Sequence, residues 1–140
     1  MAKVDTVCVD MFTNSTFYPN VAVQTTTALT EAIQRDGAFR LASPSQCTAV
    51  LSGNVSSVVS SVLRTNSRNT YLSAEIGLTV HVDYVVTEAA TGRIITRGKV
   101  TGEGSYFNDD TGNVQTARDS ALSYATRLAA DQIVQKLTIP

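Results

Sequence analysis

The feature that most constrains the fold of this chain is a long alternation of apolar and polar residues that begins at Leu72. A period of two is typical of a strand with one face in the core and the other toward water. After the turn sequence EAATGR, residues 94–107 continue the same alternation in a second long strand. The inward positions of the first strand are predicted to be Leu72, Ala74, Ile76, Leu78, Val80, Val82 and Tyr84. The chain is therefore predicted to contain a long antiparallel hairpin with one dry face.

The remaining segments supply the partners that this dry face needs. Residues 4–12 and 48–64 are rich in β-branched residues and predict two further strands. Residues 39–43, FRLAS, are predicted to form a short third one. Residues 21–36 change to a helical period that stops at Gly37, and residues 114–137 carry a second, alanine-rich helical stripe. The order β-α-β-β-β-β-α predicts an α+β fold, a two-layer sandwich with two helices on one face of a mixed, largely antiparallel sheet. Because no repeat or linker interrupts the chain, residues 1–140 are expected to form a single domain.

Composition excludes several classes of function. The formal net charge is -1, so the chain has no overall attraction to nucleic acid, and its cations are not interleaved with aromatic residues as single-stranded nucleic acid requires. No apolar run approaches the roughly 18–20 residues of a membrane-spanning helix. Ser and Thr make up 32 of the 140 residues, whereas His81 is the single histidine. We therefore expect a binding or structural protein and no enzyme, with no cofactor and no metal site.

The two cysteines could close one disulfide, but the alternation argues against this pairing. Cys8 points away from the face that Val7 and Val9 share, whereas Cys47 has the parity of the inward residue Ala49. Cysteines on opposite faces have poor disulfide geometry. Their spacing from each other and from the histidine does not resemble a zinc site.

The glycines of the second half of the chain predict close packing. The string GKVTGEG, from Gly98 to Gly104, lacks the strand–turn–helix context of a phosphate-binding loop. Alternating glycines within a strand instead indicate bulges or the close approach of a helix, and Gly53 is interpreted in the same way.

The polar face of the hairpin carries the candidate functional groups. If the two long strands pair around Thr91-Gly92, Asp83 lies near Arg97 and His81 lies near Lys99, which predicts ordinary cross-strand pairs on a surface. Catalysis by His81 is the alternative, and it would require an orienting acid and a nucleophile in a polar pocket.

The chain resembles a known family over nearly its whole length. The string VDMFTNSTFYPNVAVQTTTALTEAIQRDGAFRL is followed by TAVLSGNV and then by YLSAEIGLTVHVDYVVTEAATGRIITRGKVTGEGSYF. A closing alanine-rich helix ends in AADQIVQKL. Together these motifs are similar to the LptE family of lipopolysaccharide-assembly lipoproteins, whose fold of two helices on a mixed sheet agrees with the pattern above.

The resemblance implies a function, partners and a location. Members of this family are not enzymes; they plug an LptD-type β-barrel, assist its assembly and bind lipopolysaccharide. They are lipid-anchored at the periplasmic face of the outer membrane. On this hypothesis the basic residues of the polar face and of the tip at 65–69 are candidates for contact with lipid A phosphates. These residues are Arg64, Arg68, Arg97 and Lys99.

Two departures accompany the resemblance. Cys8 follows Asp5-Thr6-Val7, which is not a lipobox, and Met1-Ala2-Lys3 leads directly into a strand without a signal peptide. Either the anchor has been removed from this chain, or the lipid anchoring of the family does not apply to it. Thr48 also stands where the family often has Asp. The F-x-N-x-T motif at residues 12–16 and the TAVLSGNV segment are similar to CsgG- and LpoB-like periplasmic lipoproteins as well. The alternative function is therefore that of a secretion-pore subunit or an activator of a cell-wall synthase.

Overall fold

A computed structural model describes residues 6–37, 39–43, 46–65, 74–108 and 114–138. In chain order its elements are β1 (Thr6–Val9), β2 (Thr13–Asn14), α1 (Val21–Asp36), β3 (Arg40–Leu41), β4 (Ala49–Thr65), β5 (Ala74–Glu88), β6 (Ile94–Asn108) and α2 (Val114–Thr138). The sheet order is β3-β1-β4-β5-β6, and β2 pairs with β4 beyond the end of β1. β1 runs parallel to β3 and β4, and β2 runs parallel to β4, whereas β5 runs antiparallel to both β4 and β6. The predicted mixed sheet is confirmed.

Both helices cover the same face of this sheet. α2 packs on β5 and β6, α1 packs on β1 to β4, and the two helices contact each other. Alternate residues of β5 are buried beneath them, namely Leu78, Val80, Val82, Tyr84 and Val86. α1 ends as predicted at Gly37, whose φ of 78° is left-handed and whose N–H donates to the Ile33 carbonyl. The predicted α+β two-layer sandwich is therefore confirmed.

A sixth strand, β2, lies between the strand predicted at residues 4–12 and the helix predicted at residues 21–36, in a segment for which the sequence predicts no strand. Thr13 and Asn14 pair with Asn54 and Val55, and the Ser15 N–H donates to the Val55 carbonyl at 3.0 Å. The Thr13 hydroxyl also contacts Asn54 Oδ1 at 2.8 Å. Two residues are too few to produce an alternation of apolar and polar residues in the sequence. This strand is therefore defined by its pairing with β4 and cannot be predicted from its own residues.

The register of the hairpin differs by two residues from the predicted one. Asp83 lies opposite Lys99, not Arg97, and His81 lies opposite Thr101, not Lys99. The cause is a four-residue loop closed by the Glu88 N–H and the Arg93 carbonyl at 2.7 Å, together with a bulge that offsets the register between Val86 and Thr87. A slip of two residues leaves the side chains from Thr96 onward on their predicted faces. Ile94, which was predicted to face inward, lies beyond the bulge, pairs with Thr87 and is 52% exposed.

The prediction that the cysteines stay unpaired is wrong, because Cys8 and Cys47 are bonded, with their Cα atoms 5.7 Å apart. The alternation rule applies only inside a strand, and Cys47 lies before β4 begins at Ala49. β1 places Val7 beside Ala49, and Thr48 bonds to Thr6 at the same end of the two strands. This parallel pairing brings the two cysteines together.

Candidate interaction surface

The hairpin sheet presents a second face on the side opposite the helices, here called the uncovered face. Its residues occupy the alternate positions of β4, β5 and β6. Cross-strand rows include Asn54–Asp83–Lys99, Ser57–His81–Thr101, Ser52–Val85–Arg97 and Val59–Thr79–Glu103. The face is therefore a polar surface with charges of both signs, as the alternation predicts.

Glycines of β6 bring α2 into close contact with the other side of the sheet. A Cβ atom added at Gly102 would overlap the main-chain carbonyl of Ala125, and one added at Gly104 would overlap that of Ala121. At Gly98 the added atom would lie 2.7 Å from the Tyr84 hydroxyl. The GKVTGEG string is thus a packing motif, as predicted, and Gly53 likewise meets the Asp83 carbonyl and the Phe12 ring.

This close packing allows α2 to reach the free edge of β6. Gln132 Nε2 donates to the Thr101 carbonyl at 2.7 Å, and Lys136 Nζ donates to the Lys99 carbonyl at 3.1 Å. These two carbonyls point away from β5 and would otherwise offer acceptors to another strand. The outer edge of β6 is therefore protected along this part of the strand.

Two adjoining depressions lie where Asp83 faces Lys99. One has a volume of about 550 Å³ and is lined by Gly53, Asn54, Asp83, Tyr84, Val85, Arg97, Gly98 and Lys99. The other, of about 410 Å³, includes Ser57, His81, Thr101 and Gln132. Burial raises the pKa of Tyr84, whose ring lies against Gly98. The Ser56 hydroxyl donates to the His81 main-chain carbonyl at 3.2 Å rather than to its ring.

The candidate basic residues fall into two groups. Arg97 and Lys99 are both exposed on the uncovered face of β6, about 7 Å apart along the strand. Arg64 lies near the end of β4, where its strand position is opposite that of Glu75 on β5. Asp83 lies eight positions after Glu75 on β5, which places the Arg64 position about 27 Å from that of Lys99 along the strand direction. Arg68 lies outside the described residues.

The distal end of the hairpin sheet, residues 57–63, 75–79 and 103–107, carries a feature that the sequence analysis missed. Large apolar side chains there are exposed on both faces: Val59 by 50%, Val62 by 61%, Leu63 by 54% and Phe107 by 60%. The adjacent valines Val58 and Val59 were a signal for this, since one of two successive strand residues must lie on the polar face.

No described helix combines the length and apolarity that crossing a membrane would require. Among the described residues, no group of three or more His, Cys, Asp or Glu side chains is placed to hold a metal ion.

Comparisons with known proteins identify the family and the fold. The family model LptE, described as lipopolysaccharide-assembly, matches residues 4–137. No curated protein matches the chain in sequence.

Several solved structures share the fold at low sequence identity. The PelC dodecamer from Paraburkholderia phytofirmans is 16% identical, with a TM-score of 0.56 over 96% of this chain and 89% of that one. The hypothetical protein CT253 from Chlamydia trachomatis is 9% identical, with a TM-score of 0.59 over 96% and 95% of the two chains. XCC0632 from Xanthomonas campestris is 9% identical, with a TM-score of 0.56 over 92% and 81%.

Proposed function

The chain belongs to the LptE family of lipopolysaccharide-assembly proteins, and from this premise we propose that it is a non-enzymatic component that binds lipopolysaccharide and an LptD-type β-barrel. The family match over residues 4–137 is the observation that carries the proposal. The role in lipopolysaccharide assembly follows from membership, and the specific ligand and partner are the proposed steps.

The uncovered face supplies the proposed contact for lipid A phosphates. Arg97 and Lys99 are exposed, lie on the same face and border the depressions beside Asp83. Among the residues whose side chains the structure describes, no carboxylate lies at ion-pair distance from Arg97 or Lys99. Arg can bind a phosphate through two parallel hydrogen bonds, whereas Lys acts as a point charge. We assign Arg97 and Lys99 the main contact, and Arg64 and Arg68 a separate contact at the tip.

The proposed location is the periplasmic face of the outer membrane, with a lipid anchor on the precursor. The Cys8–Cys47 disulfide supports an oxidising compartment, because such bonds persist in the periplasm and are rare in the cytosol. Since the Cys8 sulfur is already bonded to Cys47, it is not the atom that would carry a thioether-linked lipid.

A charge-reversal series tests the ligand contact. Binding to lipopolysaccharide is expected to weaken in Arg97→Glu and in Lys99→Glu, and to weaken by at least about tenfold in the double variant. A tenfold loss of affinity corresponds to about 1.4 kcal/mol of binding free energy. Arg127→Glu is the matched control, because Arg127 is also exposed but lies on α2. Binding would be measured by titration into lipopolysaccharide micelles. Unchanged affinity in the double variant would remove these two residues from the proposal.

Co-purification from membranes tests the partner. An outer-membrane β-barrel recovered with the tagged precursor supports the proposal. Recovery of a peptidoglycan synthase or of a homomeric ring in its place would favour the CsgG- or LpoB-like alternative.

A further inference from the structure

Within the part of the chain that the structure describes, the second half of β4 has a neighbouring strand on one side and a free edge on the other. β1 pairs with β4 at Ala49 to Leu51, and β2 pairs with it at Asn54 and Val55. From Ser57 onward, no described residue pairs with β4 on the side away from β5. Successive residues of an antiparallel strand direct their N–H and C=O groups alternately to the two sides. About half of the residues from Ser57 onward therefore direct these groups away from β5.

This edge lacks the usual protection against strand pairing. Residues 57–63 have the sequence SVVSSVL, with no charge, proline or glycine, and three of the four apolar side chains are at least half exposed. Proteins normally protect a free edge with charges, proline, bulges or a covering element. β6 has such protection from Gln132 and Lys136. On β4 the comparable devices lie at the two ends of this segment: one bulge between Val55 and Ser57, and a second between Val62 and Arg64.

We propose that the free edge of β4 at residues 57–63 is a strand-pairing site that takes the same edge of a second copy of this chain, antiparallel and about a twofold axis. The inference is independent of the lipopolysaccharide contact, which uses β6. This strand pairing joins the sheets of the two copies into one continuous sheet.

The sequence of the edge is self-complementary in this arrangement. Residues that lie opposite each other in antiparallel strands point to the same face of the sheet. A twofold axis between the two copies satisfies this condition only if it passes through a residue position and not between two residues. Centred on Ser60, it places Val58 opposite Val62 in both copies. Centred on Ser61, it places Val59 opposite Leu63, on the face where a Cβ atom added at Gly77 would lie 3.1 Å from the Leu63 side chain. Both registers therefore pair apolar residues across the interface.

Charge also favours a second copy. In the register centred on Ser60, Arg64 lies opposite Ser56, and the two arginines are separated by about eight residues, or about 27 Å. Like charges therefore do not meet, and the central seven residues of each strand are neutral.

The first test measures the mass of the intact chain in solution as a function of concentration. We expect sedimentation analysis to show a shift from the monomer mass of 14.9 kDa toward twice this value as concentration rises. Val59→Lys is expected to abolish the shift, because the twofold axis brings two added charges into one interface. Val23→Lys on α1 is the matched control, since Val23 is 49% exposed and Val59 is 50% exposed. A wild-type chain that stays at the monomer mass up to millimolar concentration overturns the proposal.

The second test traps the pairing covalently, so it detects a weaker association than sedimentation does. The described cysteines are both in the native disulfide, so a cysteine introduced at the edge supplies a new thiol. Ser60→Cys or Ser61→Cys is expected to give a covalent dimer on mild oxidation, according to which register is adopted. Ser120→Cys on exposed α2 is the control. Cross-linking at the edge that is no greater than at position 120 overturns the proposal. The proposal is also overturned if the wild-type chain is monomeric and Val59→Lys abolishes only the binding of a different protein.

Discussion

The two halves of β4 have similar compositions but different environments. In the first half, Ala49, Leu51 and Val55 are fully buried, and the strand has neighbours on both sides. In the second half, Val59 and Val62 are at least half exposed, and within the described residues β5 is the single neighbour. Both halves are rich in valine and serine. The difference therefore comes from what covers the strand and not from its own propensity.

The two halves are also expected to differ in local stability. A segment with few buried contacts opens at a lower free energy than the core to which it is attached. The first half is tied to β1, to the disulfide and to the helices, whereas the second half is tied to the rest of the sheet through β5. Substitutions should accordingly have large effects in the first half and small effects in the second.

The largest effect is expected for removal of the disulfide. Replacing Cys8 and Cys47 by Ser frees a loop with a sequence separation of 39 residues, for which loop-closure entropy corresponds to roughly 4 kcal/mol. The free energy of unfolding from urea titration should fall by an amount of this order. Reductant should destabilise the wild-type chain and leave the double variant unchanged. Equal stability of the oxidised wild-type chain and the variant would show that the bond does not hold β1 against β4.

A pair of leucine truncations compares the two halves directly. Leu51→Ala removes a fully buried side chain and is expected to cost about 3 kcal/mol. Leu63→Ala removes a side chain that is 54% exposed and is expected to cost less than about 0.5 kcal/mol. Both would be measured by urea unfolding at low protein concentration, where pairing between copies is minimal. Comparable losses at the two positions would contradict the difference in environment.

The smallest effect is expected at alkaline pH, in the covered part of the sheet. Burial raises the pKa of Tyr84 above its usual value near 10, so folding favours the neutral phenol. Stability from this group is fully present below the unfolded-state pKa and is lost as pH rises through the folded-state pKa. Tyr84→Phe should therefore lose less stability than wild type between neutral pH and pH above 10. Parallel losses in the two proteins would show that another group causes the alkaline decline.

Much of the fold could be predicted because its signals are local. The alternation from Ile76 to Tyr84 identified the buried face of β5, and the helical period from Val21 to Gly37 gave both ends of α1. The strand–helix order then left a two-layer sandwich as the simplest solution. The family resemblance, carried by motifs along the whole chain, was confirmed by the match over residues 4–137.

The failures share a physical cause, which is that they depend on residues distant in sequence. Side-chain parity gave the wrong face for Cys47 because that residue precedes its strand. The hairpin register slipped by two because a bulge and the loop length are not visible in an alternation. For the candidate site, Arg97 and Lys99 were correctly placed on one face, but the sequence could not tell that Arg64 lies far along the sheet from them.

The sequence by itself determined which residues face the core in the long strands, where α1 begins and ends, and the family to which the chain belongs, because periodicity and motifs are properties of neighbouring residues. The tertiary structure alone decided the Cys8–Cys47 bond, the seating of α2 on Gly102 and Gly104, and the contrast between a protected edge on β6 and a free edge on β4. Each of these depends on which elements lie side by side, and that arrangement is set by packing across the whole chain.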